Sequence, residues 1–324
     1  MSVSGKILLS GVKPTGRPHI GNYFGAMKQF VNLQNEYESF IMIADYHALT
    51  STQDVTQLRQ DILDVAIDYL AIGLDPDKTV IFKQSNVPEH TELAWIFNCL
   101  TTMPYLARAH AYKDALAKNK EVNVGIFTYP LLMAADILLY DADVVPVGQD
   151  QKQHVEITRD TAEKFNRTFG EIFKLPEALI LDQVKTVIGL DGQKMSKSYR
   201  NTIPLFAPER ELKQLIMSIK TDSKKEKEPK NPEECNVFSL HKLFSEQDLP
   251  ELKRRYVQGE IGYRESKEIL FNNLNTYLAP LRAKRELIAD DRARVMEVLR
   301  QGGQRARARA SAKMVRVREL IGVN

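Results

Sequence analysis

This chain lacks the residue patterns of metal and disulfide chemistry. Its 324 residues include only two cysteines, Cys99 and Cys235, far apart and without a CxxC spacing. That excludes a disulfide framework and a cysteine-built zinc site, and it suits a reducing compartment, the cytoplasm. The six histidines are scattered, with no HxxxH pair on one helix face, so no protein-built metal site is expected. Long apolar runs are missing too. The longest, residues 130–140, is too short to span a bilayer and contains Asp136, so no membrane partner is expected. The N-terminus has no charged-then-apolar leader, only Ile7-Leu8-Leu9. There is no internal repeat, no GxGxxG dinucleotide fingerprint and no Walker loop.

What remains is an ordinary globular composition, 43% hydrophobic and 27% charged, in a chain long enough for two domains. The net charge is only +3, but residues 301–324 hold six basic side chains against one acid and leave the rest slightly negative. Such asymmetry is compatible with a polyanion partner. The plainer reading is an amphipathic helix: Ala306, Ala310, Met314, Val317 and Ile321 share one face, with the arginines as its solvated flanks.

The first 200 residues alternate strand-like runs (6–9, 40–44, 79–83 and 143–147) with helical patterns. One of these, Leu58, Ile62, Val65, Ala66 and Tyr69, ends at the turn 73–76. Alternation of this kind predicts an α/β fold, a parallel sheet covered on both faces, with ligands beyond the carboxyl ends of the strands. Three turns occupy such positions: 10–22, 45–48 and 148–151. After about residue 205 the strand signals fade. Leu212, Leu215, Ile216 and Ile219 form one helical face and Leu270, Leu274, Tyr277 and Leu281 another, with Pro280 as a kink. The mixed-charge stretch 224–230 reads as an exposed loop.

The first turn, Ser10-Gly11-Val12-Lys13-Pro14-Thr15-Gly16-Arg17-Pro18-His19-Ile20-Gly21-Asn22, joins a strand to an amphipathic helix. Backbone N–H groups at such a helix start face an anion, Gly21 admits a nucleotide, and His19 and Asn22 offer donors to phosphate. A plain βα loop explains the same residues equally well. The string Lys194-Met195-Ser196-Lys197-Ser198 is sharper. Two lysines three apart on a flexible loop place point charges where a leaving pyrophosphate gathers negative charge. A third segment runs Thr128-Tyr129-Pro130-Leu131-Leu132-Met133-Ala134-Ala135-Asp136, with Pro130 suited to a helix's first turn. Tyr129, Met133 and Asp136 share a face, and a carboxylate there can accept from a donor-only group such as an indole N–H. Periodicity alone favours a core helix whose Asp caps a neighbouring loop.

The turn with His-Ile-Gly-Asn and the later Lys-Met-Ser-Lys-Ser together resemble the paired signatures of class I aminoacyl-tRNA synthetases. The Tyr129–Tyr140 string, followed by Val-Pro-Val-Gly-Gln-Asp-Gln-Lys-Gln-His at 145–154, resembles the bacterial-type tryptophanyl enzymes in particular. The resemblance runs over nearly the whole chain. It implies a Rossmann-like parallel-sheet catalytic domain over 1–204, a C-terminal all-helical domain over 205–290 that holds the tRNA anticodon, and a basic helix over 291–324 that packs back on the body. It implies that Asp136 reads the indole nitrogen, with Tyr129, Met133, Val145, Val147 and Gln151 forming the tryptophan pocket. Lys13, Pro14, Thr15, Gly21, Asn22, Lys113, Gly148, Gln149, Asp150, Val187 and the loop Lys194, Met195, Ser196, Lys197 and Ser198 would bind ATP. Lys194, Lys197, His19 and Asn22 would be catalytic. The implied cofactor is ATP with Mg²⁺, and the implied partners are L-tryptophan, tRNA(Trp) and a second copy of the chain. Many family members carry Gln at the position of Lys13, Thr at His19 and Glu at Gln149. Two rivals stay open: a nucleotidylyltransferase of the same superfamily, and a non-catalytic relative that binds tRNA or senses tryptophan.

Overall fold

In the computed structural model of the chain, residues 5–117, 122–148, 151–180 and 187–324 are described. They form two compact units, one of residues 5–16, 29–117, 122–148, 151–180 and 291–324, the other of residues 17–28 and 187–290.

The first unit is built on five parallel strands in the order β3-β2-β1-β4-β5: β1 Ile7–Val12, β2 Glu38–Ile43, β3 Thr79–Lys83, β4 Val144–Val147 and β5 Glu177–Ile180. Chain order reverses between β1 and β4, the point at which Rossmann-type sheets open a ligand crevice. In β2, Phe40, Ile41, Met42 and Ile43 are all buried without alternation, as expected for a strand covered on both faces. Asp143 precedes β4 rather than belonging to it, and its carboxylate accepts the Ile7 N–H at 2.8 Å. The fifth strand had no distinct signal: Glu177-Ala178-Leu179-Ile180 is a short, half-exposed edge.

The helix Val124–Leu138 starts earlier than its proline suggests. Asn123 caps it, its side chain accepting from the Ile126 N–H at 2.9 Å. Pro130 therefore lies in the interior and not in the first turn, tolerated because the capped start and the buried Leu131, Ala134 and Ala135 hold the helix on the core.

The last helix, Arg292–Ile321, packs on this unit through Ala306, Ala310, Met314 and Val317, all fully buried. Gly302 marks the closest approach, since a Cβ there would lie 1.9 Å from the carbonyl oxygen of Ile81 in β3. The basic residues are not merely solvated flanks. Arg318 pairs bidentately with Glu92, Arg307 with Glu89, Lys313 with Asp141 at 2.6 Å, and Arg309 donates to the Tyr140 carbonyl. The local excess of positive charge is thus used largely in attaching the helix.

The second unit contains the helices Glu209–Met217, Asn236–Phe244, Leu249–Gln258 and Tyr263–Asp290, the last continuing through Pro280. The composition change at 205 is not where the units part. The loop from 187 to 204 folds with the helices: Leu190 N donates to Asn201 O and Lys220 N to Leu190 O, and Met195 and Ile203 are buried. The charged stretch 224–230 is an exposed loop except at Lys230. That ammonium is buried and donates to the carbonyls of Lys225, Glu226 and Glu228. Among the described residues no helix is long and apolar enough to cross a membrane.

Candidate active site

Asp136 sits on the helix Val124–Leu138 at only 2% exposure. Its Oδ1 accepts from Gln84 Nε2 at 2.8 Å and from His90 Nδ1 at 2.5 Å, and its Oδ2 meets His47 Nε2 at 2.8 Å. Burial alone would raise its pKa, but the charge and hydrogen bonds of His90 and His47 outweigh that and hold the carboxyl at about 2. Each of these partners is oriented in turn. Gln84 Oε1 accepts from the backbone N–H groups of Tyr46 and His47, so the amide cannot flip and its nitrogen must point at Asp136. His90 Nε2 meets the hydroxyl of Tyr140 at 2.8 Å. A carboxylate has about four acceptor positions, and three are filled, leaving one on Oδ2 for a further donor.

His47 belongs to the short helix Asp45–Ala48 that follows β2, and its ring stands edge-on to Tyr129 at 5.8 Å. Tyr129 OH hydrogen-bonds His154 Nε2, and His154 Nδ1 meets Gln151 Oε1 at 2.8 Å. The structure thereby brings Tyr129, Asp136 and Gln151 into one connected network. Val145 and Val147 share a face of β4, the first buried and the second half-buried, and Met133 packs on the same core. Gln84, His47, His90 and His154 were not singled out from the sequence. The turn 45–48 was flagged by its place after a strand, which was the one available signal for His47. Gln84 and His90 had no motif around them, and His154 closes the string 145–154 without a role assigned to it.

Lys13 follows β1 and donates from Nζ to Thr50 Oγ1 at 2.8 Å, with burial lowering its pKa from the usual lysine value. Pro14 is buried, Thr15 exposed and Lys113 exposed on the helix His110–Ala117. Gly148 is exposed at the end of β4, while Gln149 and Asp150 lie outside the described residues.

In the second unit His19 and Asn22 cap each other. Asn22 N donates to His19 Nδ1 at 3.2 Å and His19 N to Asn22 Oδ1 at 3.1 Å. With Nδ1 accepting, the ring proton lies on Nε2, so His19 presents Nε2–H and Asn22 its amide N–H groups. Burial, helped by the positive charge of Lys197, depresses the His19 pKa to about 4, which keeps the ring neutral at pH 7. A Cβ on Gly21 would crowd His19 Nδ1 at 2.9 Å and reach Met195 Cβ at 3.4 Å, so the two motifs abut there. Met195 is buried, its N–H held by the carbonyl of the buried Val187, while Lys194, Lys197 and Ser198 are exposed. The side chain of Ser196 caps the short turn Lys197–Tyr199, accepting from Ser198 N. Asn201, at 2% exposure, fastens the loop. Its oxygen accepts from Ser196 N, and its nitrogen donates to Asp191 Oδ1 and to the Lys194 carbonyl. Among the described residues no cluster of His, Cys, Asp and Glu could hold a metal ion.

Residues 5–279 match the family described as tRNA synthetases class I (W and Y). A tryptophan–tRNA ligase of Fusobacterium nucleatum is 51% identical over 317 residues, with 97% of each chain covered. One from Rhodopirellula baltica is 46% identical, covering 98% of this chain and 99% of its own. A tryptophanyl-tRNA synthetase of Campylobacter jejuni, solved in complex with ADP and tryptophan, superposes with a TM-score of 0.92 at 47% identity, covering 98% and 99% of the two chains.

Proposed function

The chain belongs to the tRNA synthetases class I (W and Y), and from that premise we propose that it is a tryptophan–tRNA ligase, with Asp136 as the observation that carries the choice of amino acid. A buried carboxylate kept ionised by three donors, with one acceptor position left, suits an indole N–H. Tyr129, Met133, Val145, Val147 and Gln151 complete the tryptophan site.

In the first step an oxygen of the tryptophan carboxylate bonds to the α-phosphorus of ATP. The bond from that phosphorus to the bridging oxygen breaks, and its electron pair leaves with pyrophosphate. No enzyme nucleophile is needed, so catalysis is positioning plus charge stabilisation. Lys194 and Lys197 neutralise the departing pyrophosphate, and His19, neutral at pH 7, donates from Nε2 alongside Asn22. Lys13, Pro14, Thr15, Gly21, Lys113, Gly148, Gln149, Asp150, Val187, Met195, Ser196 and Ser198 bind ATP, which arrives with Mg²⁺. In the second step the 2′-hydroxyl of the terminal adenosine of tRNA(Trp) attacks the activated carbonyl and AMP leaves. The segment 205–290 holds the anticodon, two chains act as a dimer, and the setting is the cytoplasm; these three points rest on family likeness. Tryptophan-dependent ATP–pyrophosphate exchange tests the proposal, with tyrosine as control. Exchange with tyrosine alone would move the assignment to the sister enzymes, and no exchange with either would favour a binding protein.

A further inference from the structure

We propose that Thr50 is a positioning residue that ties the ammonium of Lys13 to Asp136, so that the tryptophan and ATP sites are energetically coupled through the short helix Asp45–Ala48. The proposal rests on the reading of Lys13 and Asp136 given above. The chain of contacts is continuous. Lys13 Nζ donates to Thr50 Oγ1 at 2.8 Å, and that hydroxyl donates to the carbonyl of His47 at 2.8 Å. The same residue, His47, presents its ring to Asp136 Oδ2 at 2.8 Å and its backbone N–H to Gln84, whose other end holds Asp136 Oδ1. The helix is anchored beside Lys13 as well, because Ala44 N donates to the carbonyl of Val12. Thr50 therefore contacts Lys13 directly and reaches Asp136 only through His47.

The charge on Lys13 gives this link a direction. Its ammonium is half-buried, and among the described residues no carboxylate forms an ion pair with it. A ligand phosphate supplies the missing negative charge and draws the ammonium toward itself. The Thr50 hydroxyl and the His47 turn then shift with it, and the shift reaches Asp136 within two further hydrogen bonds. By linkage, an indole N–H bound at Asp136 acts back on Lys13 by the same factor.

The test is calorimetric titration of the full chain with tryptophan, without and with a saturating non-hydrolysable ATP analogue and Mg²⁺. In the wild type the two dissociation constants should differ by about fivefold or more, the lower end of typical site–site couplings. T50V should bring the ratio close to one while leaving the affinity for each ligand alone within about threefold, below the fivefold lower end of such couplings. T50S, which keeps the hydroxyl, should restore the wild-type ratio. A merely structural threonine would weaken both titrations together and leave the ratio unchanged. K13M breaks the same link from its other end, so it covers the case in which T50V fails to fold, and it should also bring the ratio close to one. A wild-type ratio of one, or a ratio unchanged in T50V or K13M, overturns the proposal. A wild type that binds neither tryptophan nor the analogue overturns the functional reading beneath it, a distinguishable result.

Discussion

Replacing Asp136 by asparagine tests the amino-acid site more sharply than truncation, because the structure dictates how the new amide must lie. Gln84 cannot flip, since its oxygen is held by the N–H groups of Tyr46 and His47, so its nitrogen keeps donating. The Asn oxygen must then take the Oδ1 position and its NH₂ the Oδ2 position. His47 can meet that NH₂ by changing tautomer and accepting at Nε2, so the network survives. An indole N–H has no such freedom, and at the remaining place on Oδ2 it meets a donor. Losing a charge-assisted hydrogen bond costs about 1.5–3 kcal/mol, and stranding a desolvated donor adds about 1–3 kcal/mol. Together these predict a fall of roughly 10²- to 10⁴-fold in kcat/KM for tryptophan in ATP–pyrophosphate exchange. The benzothiophene analogue, with sulfur in place of the N–H, should be hardly affected, so the preference for tryptophan over it collapses. A parallel loss for both substrates, or a tryptophan loss under tenfold, would refute the reasoning.

Three further outcomes follow from other parts of the structure. Lys197→Ala should slow pre-steady-state formation of the adenylate by about a hundredfold or more while leaving tryptophan affinity nearly intact, as for removal of a charge used only as the bond breaks. Gly302→Val should destabilise the sheet unit by more than about 3 kcal/mol, because its Cβ would overlap the Ile81 carbonyl at 1.9 Å; a thermal midpoint near wild type would contradict that packing. His19 and His241 are both held near pKa 4, chiefly by burial, against 6.5 when free. The unfolded chain therefore takes up protons between pH 6.5 and 4 that the folded chain refuses, and stability should decline as pH falls through that window. Urea unfolding across it, compared with H241Q, should show a shallower slope in the variant.

Much of this was legible in the sequence because it depends on local signals. Four strands stood out as short β-rich runs, and Gly73 marked a helix end. The face Ala306, Ala310, Met314, Val317 and Ile321 was visible as a 3.6-residue period; the first four residues are buried and Ile321 is half-buried. The motif loops were legible as strings. Lost to the sequence were features whose cause is a distant residue. The partners of Asp136 come from three separate segments, at 47, 84 and 90, and nothing at any one of them announces a meeting. Asn201 looks like an ordinary loop residue, yet it fastens Ser196, Asp191 and Lys194 together. The pairing of the C-terminal arginines with Glu89 and Glu92 likewise joins residues more than 200 positions apart.

The origin of the choice of substrate can be traced one step further. On the proposed role of Asp136, the carboxylate alone would favour any side chain that donates, so it would separate tryptophan from phenylalanine but not from tyrosine, whose hydroxyl also donates. The orientation of Gln84 is set by two backbone N–H groups, not by a side chain, and it keeps Oδ1 filled whatever ligand is present. Only Oδ2 is left, and His47 already takes one of its two acceptor positions. A donor must therefore arrive along a single direction, fixed by the end of β2. An indole N–H and a phenol O–H lie at different distances from the amino-acid α-carbon. The constraint then discriminates by reach as much as by hydrogen bonding. If so, His47→Ala, which opens the second Oδ2 position, should raise tyrosine-dependent exchange relative to tryptophan-dependent exchange. A His47→Ala enzyme with an unchanged ratio would place the discrimination against tyrosine in the apolar walls instead.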